Sequence, residues 1–205
     1  MGVFMGKKAS PYLRRILGKD IALKRNVTDS VRLVSTPYKS RVAFRVLYTE
    51  THLTVFRYVY GLNGGSIQDA EDLAAETFTR AWQARNRFVG DSNAALGWLL
   101  KIARNLVIDS HRKHARRKTD TGIDQLVIIA PDSSPEEQAI IAEQCRIMWS
   151  LLQDLPDNKR EMLVLRYMLG WRVNRIARHF GVPENTVSVT LRRLLKQLRD
   201  RWPQS

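Results

Sequence analysis

The stretch that decides the fold is residues 173–202, VNRIARHFGVPENTVSVTLRRLLKQLRDRW. Its apolar spacing predicts two helices, 173–180 and about 183–202, that meet in a short turn. Two helices that cross near a right angle need a small residue at the contact, a residue tolerant of positive φ in the turn, and an apolar anchor on the second helix. The residues that meet these needs are Ala177, Gly181 and Val187. The stretch therefore predicts a helix-turn-helix that binds duplex DNA.

The second helix of this motif has one apolar face and one polar, basic face. Its apolar residues are Val187, Leu191, Leu194 and Leu198, which step by 4, 3 and 4 along the chain. The opposite face is the one that enters a major groove, and amide, hydroxyl and guanidinium groups suit base edges and phosphates. The predicted DNA contacts are Arg178, Asn185, Thr186, Ser188, Val189, Arg192, Arg193 and Lys196. The alternative is a packed helical hairpin with a solvated basic face.

The charge of the chain supports a polyanionic partner. The 205 residues carry a formal net charge of +14, which points to nucleic acid or an anionic membrane. Residues 1–40 hold nine basic and two acidic residues, 98–118 seven and one, and 155–205 eleven and four, whereas 119–154 hold one and seven. A non-specific basic coat would not be segmented in this way. The pattern favours two DNA-facing modules joined by a segment held away from DNA.

Upstream of the motif, strand signals are nearly absent and apolar residues recur at helical spacing. The predicted fold class is all-α, with two small helical domains joined by a flexible linker. We predict a helix over about 41–62, a second that opens with Ser66 and Asp69 as a capping-box variant, a loop over 85–93, and a third helix from about Ala94. The predicted inward residues are Leu47, Phe56, Tyr60, Ala70, Leu73, Ala74, Thr77, Phe78, Ala81, Leu99, Ile102, Ala103, Leu106 and Val107.

The domain boundaries follow from composition. Residues 1–40 form a basic extension, 41–114 the first helical bundle, 115–133 a linker without sustained period, and 134–205 the helix-turn-helix domain. That last domain opens with an N-cap, a first-turn proline and a capping-box acid, which predicts a helix to about Leu155. Those three residues are Ser134, Pro135 and Glu137. Asp157 is predicted to cap the next helix, which is predicted to run through Tyr167.

Several function classes are excluded or disfavoured by the sequence. The single cysteine, Cys145, permits no internal disulfide, and no long apolar run or secretory signal is present, so we expect a cytoplasmic protein. The basic, acid-poor start is interpreted as a flexible tail or a start codon placed too early, with a transit peptide as the alternative. His111 and His114 lie at i, i+3 but lack a third ligand, so we expect no metal and no cofactor. No nucleophile motif or phosphate loop is present, and we predict no enzyme and no small-molecule substrate.

Two stretches upstream carry a resemblance to a known family. They read QDAEDLAAETFTRAWQARNRF over 68–88 and GWLLKIARNLVIDSHR over 97–112. Together with Leu155-Pro156, Leu165-Arg166-Tyr167, Ile176-Ala177 and Thr186-Val187, they resemble regions 2 and 4 of bacterial RNA polymerase sigma factors of the extracytoplasmic-function (ECF) group, in the sigma-70 family. The resemblance covers about residues 44–200, in order. It leaves the first 40 residues outside.

The resemblance implies a transcription initiation factor that binds core RNA polymerase, recognises the −35 and −10 promoter elements and promotes melting. The partners it implies are the clamp and flap of the polymerase core, promoter DNA and an anti-sigma factor. The residues it implies for binding the clamp coiled coil of the largest catalytic subunit are Asp69, Glu71, Asp72, Glu76 and Phe78, with Phe78 and Trp82 exposed. Those for the −10 element are Arg85, Arg87, Phe88, Trp98, Lys101, Arg104, Asn105 and Arg112. The helix-turn-helix residues given above would read the −35 element.

Some positions depart from the family pattern. Ala75 replaces a usual glutamine and Arg175 a usual glutamate, and Asn185, Ser188 and Thr190 replace the more frequent glycine, lysine and arginine. These departures indicate a promoter sequence of its own. The alternative function is a free-standing helix-turn-helix regulator whose N-terminal bundle serves dimerisation or sensing, and the acidic helix at 69–78 argues against it.

Overall fold

The computed structural model describes residues 38–64, 66–117 and 134–203, without the side chains of 92, 93 and 114–117. Most of the basic extension and of the predicted linker therefore lie outside the described residues. The described chain is helical and contains no β-strand, which confirms the predicted all-α class. It falls into two compact units, which we call the N-terminal unit (38–117) and the C-terminal unit (134–203). None of the described helices has the length and apolar content needed to cross a membrane.

Three mutually packed helices build the N-terminal unit: α1 over Arg41–Leu62, α2 over Ile67–Ala84 and α3 over Ser92–Arg117. The Ser40 side chain caps α1, and Ser66 Oγ accepts a hydrogen bond from the Asp69 backbone N–H at 3.3 Å to cap α2, each satisfying a free helix donor. Most of the predicted inward residues are buried, whereas Phe56, Leu73 and Ile102 are half-buried. The core is contributed by all three helices.

The predicted loop over 85–93 is shorter in the structure. Arg85–Arg87 form one 3₁₀ turn, and α3 begins at Ser92 instead of Ala94. The reason is Asp91, whose carboxylate accepts a hydrogen bond from the Ala94 N–H at 2.8 Å and so caps the helix earlier. At its other end α3 continues through Arg117, into the stretch predicted as linker.

The C-terminal unit begins with α4 over Pro135–Gln153. The Ser134 and Glu137 side chains form the predicted capping box. Helix α5 covers Asp157–Leu163, and Pro156 occupies its N-cap position. The prediction that Asp157 caps this helix is therefore wrong, since Asp157 lies in the first turn, 3.5 Å from the Arg160 guanidinium.

A π-helical turn over Val164–Met168 follows α5 and was not expected from the sequence. In it the Leu169 N–H donates to the Val164 carbonyl at 3.1 Å, one residue further back than in an α-helix. Gly170 then ends the segment with a φ of 69°. The Trp171 N–H donates to the Leu165 carbonyl at 2.9 Å, which fixes the chain as it turns toward the next helix.

The helix-turn-helix consists of α6 over Val173–Phe180 and α7 over Glu184–Asp200. Gly181 adopts the left-handed conformation, with a φ of 66°, and its N–H donates to the Ala177 carbonyl. Ala177 and Val187 are buried where the two helices meet. The predicted helix, turn and anchor are therefore confirmed, with α7 ending two residues before Trp202.

A polar pair with one buried member joins α6 to α5. His179 Nε2 lies 2.8 Å from Glu161 Oε1, and Glu161 is only 1% exposed. Its neighbour Arg160 is also buried and donates hydrogen bonds to the carbonyls of Leu152 and Leu155. Because buried polar groups are costly unless they are hydrogen-bonded, these contacts fix α5 against both neighbouring elements.

Candidate nucleic-acid interface

Helix α7 presents its predicted DNA-facing residues to solvent. The four apolar anchors at 187, 191, 194 and 198 are buried, so the opposite side of the helix is necessarily outward. Val189 is half-buried, and the remaining predicted contacts on this motif are exposed: Arg178, Asn185, Thr186, Ser188, Arg192, Arg193 and Lys196. The face combines one amide and two hydroxyl groups near the start of the helix with cations further along, a pattern suited to base edges flanked by phosphates.

Arg175 is a cation near this face that the sequence interpretation noted only as a departure from the family pattern. Its guanidinium stacks over the Trp171 ring, 3.9 Å from the centroid. Desolvation by burial and the neighbouring charge of Arg178 lower the pKa of the Arg175 guanidinium. The signal in the sequence was Trp171 four residues before Arg175, a spacing that favours stacking when the intervening turn is tight.

The acidic face of α2 is exposed as predicted. Glu71, Asp72 and Glu76 lie on its solvent side, where Glu76 forms a salt bridge of 2.7 Å with Arg80. Asp69 is half-buried at the start of the helix, and its carboxylate accepts a hydrogen bond from Asn63 Nδ2 at 3.3 Å. The acidic face therefore consists of Glu71, Asp72 and Glu76, with Asp69 partly committed to the α1–α2 junction.

Phe78 is buried, which confirms its predicted inward position and shows that the expectation of an exposed ring beside these acids was wrong. It is 6% exposed and packs edge-on against Tyr48 of α1, with ring centroids 4.8 Å apart. Tyr48 covers it and is itself 46% exposed. Trp82, one turn further on, is half-buried against Phe44 at 5.1 Å. The aromatic surface available beside the acidic face is thus supplied by Tyr48 and Trp82.

An open groove of about 540 Å³ runs between α1 and α2. It is lined by Arg41, Phe44, Arg45, Tyr48, Ala75, Phe78, Thr79 and Trp82. Four aromatic rings form its floor, and two arginines stand on the α1 side. No feature of the sequence alone indicated it, because the two walls come from segments about 35 residues apart.

The predicted −10 residues on α3 share one face of the helix. Lys101, Asn105 and Arg112 are exposed, and Arg104 is half-buried beside them. The residues between them on the inner side, such as Leu99, Ala103 and Leu106, are buried. The mid-helix Asn105 side chain is therefore directed to solvent, on the same side as two cations.

Three of the predicted −10 residues lie between α2 and α3, and two of them, Phe88 and Arg85, make structural contacts. Phe88 is 7% exposed and packs between Tyr38 and Trp98, at centroid distances of 6.0 and 4.7 Å. Phe88 is therefore covered by other rings, with Trp98 half-buried against it, and its assignment to the −10 element stays a prediction. Arg85 donates hydrogen bonds to the carbonyls of Lys39 and Trp82. Arg87 is exposed.

The described residues contain no group of three histidine, cysteine, aspartate or glutamate side chains that could hold a metal ion. Cys145 lies buried in α4, and burial raises the pKa of its thiol to about 11. A thiol with so high a pKa is a poor nucleophile at neutral pH.

Comparisons with known proteins agree with this arrangement. The family model for Sigma-70 region 2 matches residues 47–117, and that for Sigma-70, region 4 matches residues 145–198. The ECF RNA polymerase sigma factor SigL of Mycobacterium tuberculosis is 32% identical over 156 residues, which are 76% of this chain and 86% of the relative. SigW of Bacillus subtilis is 32% identical over 152 residues, 66% of this chain and 79% of that protein.

A solved structure supports the fold. The sigma factor RpoE from Bartonella quintana, crystallised with the anti-sigma factor NepR, superposes with a TM-score of 0.54 at 23% identity, over 77% of this chain and 94% of that chain. The two family-model matches fall one on each unit of the chain, in the order region 2 then region 4. The chain therefore belongs to the ECF group of the sigma-70 family of RNA polymerase sigma factors, the subunits that recognise promoters in transcription initiation.

Proposed function

We propose a division of labour among three faces of this sigma factor. The acidic face of α2, formed by Glu71, Asp72 and Glu76, docks on the clamp coiled coil of the largest polymerase subunit. The exposed face of α3 engages the −10 element as it opens, and the outer face of α7 reads the −35 element as duplex. The observation that carries this proposal is the segregation of charge, with acids on α2 and cations on α3 and α7.

The α2 assignment is supported by the exposure of its carboxylates next to aromatic surface. Within the described parts of the chain, Glu71 and Asp72 form no salt bridge, whereas Glu76 pairs with Arg80. Charged residues at the rim of an interface steer association and fix its register, while buried aromatic groups contribute most of the affinity. Tyr48 and Trp82 are placed to supply that second contribution.

The α3 assignment rests on Lys101, Asn105 and Arg112. Opening a base pair and holding a flipped base costs a few kcal/mol of stacking and pairing, and contacts available only to the unpaired base must recover that cost. An exposed asparagine between two cations offers base-edge hydrogen bonds flanked by phosphate contacts. Phe88 and Arg85 position the loop that leads into α3, and Arg87 remains available to DNA.

We also propose that an anti-sigma protein regulates this chain. Exposed apolar side chains occur on both units, with Val42 75% exposed on α1 and Ile140 58% exposed on α4. The structural relative from Bartonella quintana was crystallised with such a protein. The proposed role requires no catalytic residue in this chain, because nucleotide addition belongs to the polymerase.

Reconstituted run-off transcription tests the proposal. Core polymerase, this chain and promoter fragments from its genome should yield promoter-dependent starts that core polymerase alone does not give. The alternative function, a free-standing regulator, predicts tight and specific duplex binding by the chain alone and no such starts. That second result would overturn the sigma assignment of the three faces.

A further inference from the structure

The groove between α1 and α2 is suited to an amphipathic helix. Its two walls run antiparallel, because Phe44 packs on Trp82 while Tyr48 packs on Phe78. The floor is apolar and aromatic, and Ala75 and Thr79 leave its α2 side low and exposed. Helix-in-groove recognition uses an apolar stripe at helical spacing against a cleft of this kind.

The groove has positive charge at one end and leads toward negative charge at the other. Arg41 and Arg45 line the end near the start of α1. Because the helices are antiparallel, the other end leads toward the start of α2, where Glu71 and Asp72 are exposed. A basic occupant would therefore be favoured at the acidic end and disfavoured at the arginine end.

The basic extension enters the described chain beside this groove. Tyr38 is buried against Phe88, and the Lys39 carbonyl accepts a hydrogen bond from Arg85 at 3.1 Å, which fixes the entry point within one helical turn of Arg41. The groove extends from Arg41 to Tyr48, about 10 Å at the rise of an α-helix. The twelve residues 26–37 can span up to about 40 Å, so residues before them can reach any part of the groove.

The sequence of the extension matches the groove. Leu13, Ile16, Leu17 and Ile21 recur at i, i+3, i+4 and i+8, the spacing of an apolar helical stripe, and Ser10-Pro11 precede them as a helix-start signal. The cations Arg14, Arg15, Lys19 and Arg25 fall outside the stripe. They complement the exposed acids of α2.

We propose that residues 10–25 occupy the α1–α2 groove and shield the acidic face of α2 until core polymerase displaces them. Tethering raises the effective concentration of such a segment to the millimolar range for a short linker, so a weak contact suffices. The proposed occupancy of the groove depends only on the groove's apolar floor, its charges and the sequence of the extension. The displacement step rests on the proposed docking of core polymerase at the acidic face.

Site-specific photo-crosslinking in the full chain tests the occupancy. A benzophenone amino acid in place of Thr79 faces the groove from its exposed α2 wall. Irradiation should give an adduct within one chain, mapped by mass spectrometry to residues 10–25, with a yield independent of dilution. Leu17→Asp should lower that yield about tenfold, since it places a charge in the apolar stripe that we propose fills the groove. The matched control Ala22→Asp adds the same charge on the side of the segment away from the stripe and should leave the yield unchanged.

Two outcomes overturn the proposal. Adducts that join two chains show that a second copy occupies the groove, and adducts that map elsewhere, or none, show that the extension does not. Core polymerase bound before irradiation should prevent the adduct from forming. An adduct that persists in the purified complex with core would refute docking at the acidic face while leaving the occupancy of the groove intact, so the two failures are distinguishable.

Discussion

Gly90 shows how one residue constrains the loop that leads into α3. Its φ is +157°, and a Cβ there would lie 2.8 Å from Ala94 Cβ and 3.0 Å from Phe88 Cζ. We expect Gly90→Ala to destabilise the N-terminal unit by about 1–3 kcal/mol, because the backbone or the Phe88 packing must shift. Urea unfolding followed by circular dichroism measures the change.

Gly97, inside α3, provides a control for this loop position. A Cβ added there meets nothing within 4 Å, and alanine favours a helix interior by about 0.5–1 kcal/mol over glycine. Gly97→Ala should therefore be neutral or stabilising. Equal destabilisation by the two substitutions would contradict the packing explanation for Gly90.

His179, on α6 of the helix-turn-helix, is a hydrogen-bond partner of the buried Glu161 side chain. We expect His179→Ala to cost about 1–3 kcal/mol in the free energy of unfolding of the C-terminal unit, since it removes a hydrogen-bond partner from a buried polar group. Denaturant titration measures this loss. The neighbouring Arg178→Ala, at an exposed position, should change stability by no more than about 0.5 kcal/mol. An equal loss of stability in the two variants would contradict the stabilising role of the His179–Glu161 contact.

At the scale of the element, α2 and α7 each have one face buried in the fold and one face exposed to solvent. Helix α2 buries Ala70, Ala74 and Ala81 against its neighbours, so its small residues allow close packing while its carboxylates remain outside. Helix α7 buries four branched aliphatic residues and leaves its cations free for phosphate. In both helices the fold and the binding surface can therefore be varied separately.

This separation predicts a selective effect of charge reversal on α2. Asp72→Arg should abolish binding to core polymerase, because it opposes the proposed steering charge, while the helical content and unfolding midpoint remain unchanged. Affinity for core, measured by fluorescence anisotropy, checks the prediction. The control is Glu50→Arg, a charge reversal at an exposed position on α1, which should retain core binding. If the Asp72→Arg variant binds core with unchanged affinity, α2 is not part of the interface.

Helix α7 gives a prediction about sequence recognition. Arg192→Ala should weaken binding to the cognate −35 duplex by about 1–3 kcal/mol and relax preference at one base pair if the guanidinium reads a base edge. Lys196→Ala should weaken binding equally on all sequences, as a phosphate contact does. Binding assays of the holoenzyme with single-base variants separate the two, and a uniform loss for Arg192 would assign it to phosphate instead.

For the whole molecule, the location of charge decides DNA binding more than its total of +14. Promoter affinity should fall about 10³-fold or more between 50 and 200 mM salt if six or more phosphates are contacted. The same salt series with Glu50→Arg, which adds positive charge away from the proposed DNA faces, should give the same slope. A steeper slope for that variant would mean that net charge dominates.

Much of this architecture could be predicted from the sequence because it depends on local patterns. Helical spacing and cap residues predicted α1, α6 and the capping box at Ser134, and the small-residue spacing predicted the turn at Gly181. Helical spacing also placed Phe78 on the inward face of α2, but the burial of Phe88 could not be predicted in this way, since Tyr38, which packs against it, comes from another segment. The groove and the Glu161–His179 pair were missed for the same reason: each requires two distant segments to meet.

The position of Cys145 has a practical consequence for following promoter opening. The one native thiol of the chain is buried, with a pKa raised to about 11, so maleimide dyes at neutral pH will react with it slowly while the C-terminal unit is folded. A single cysteine introduced at an exposed site such as Gln83 or Asn158 would then be labelled selectively in the otherwise natural chain. Paired with a dye on the promoter, it would report by energy transfer when each unit engages DNA.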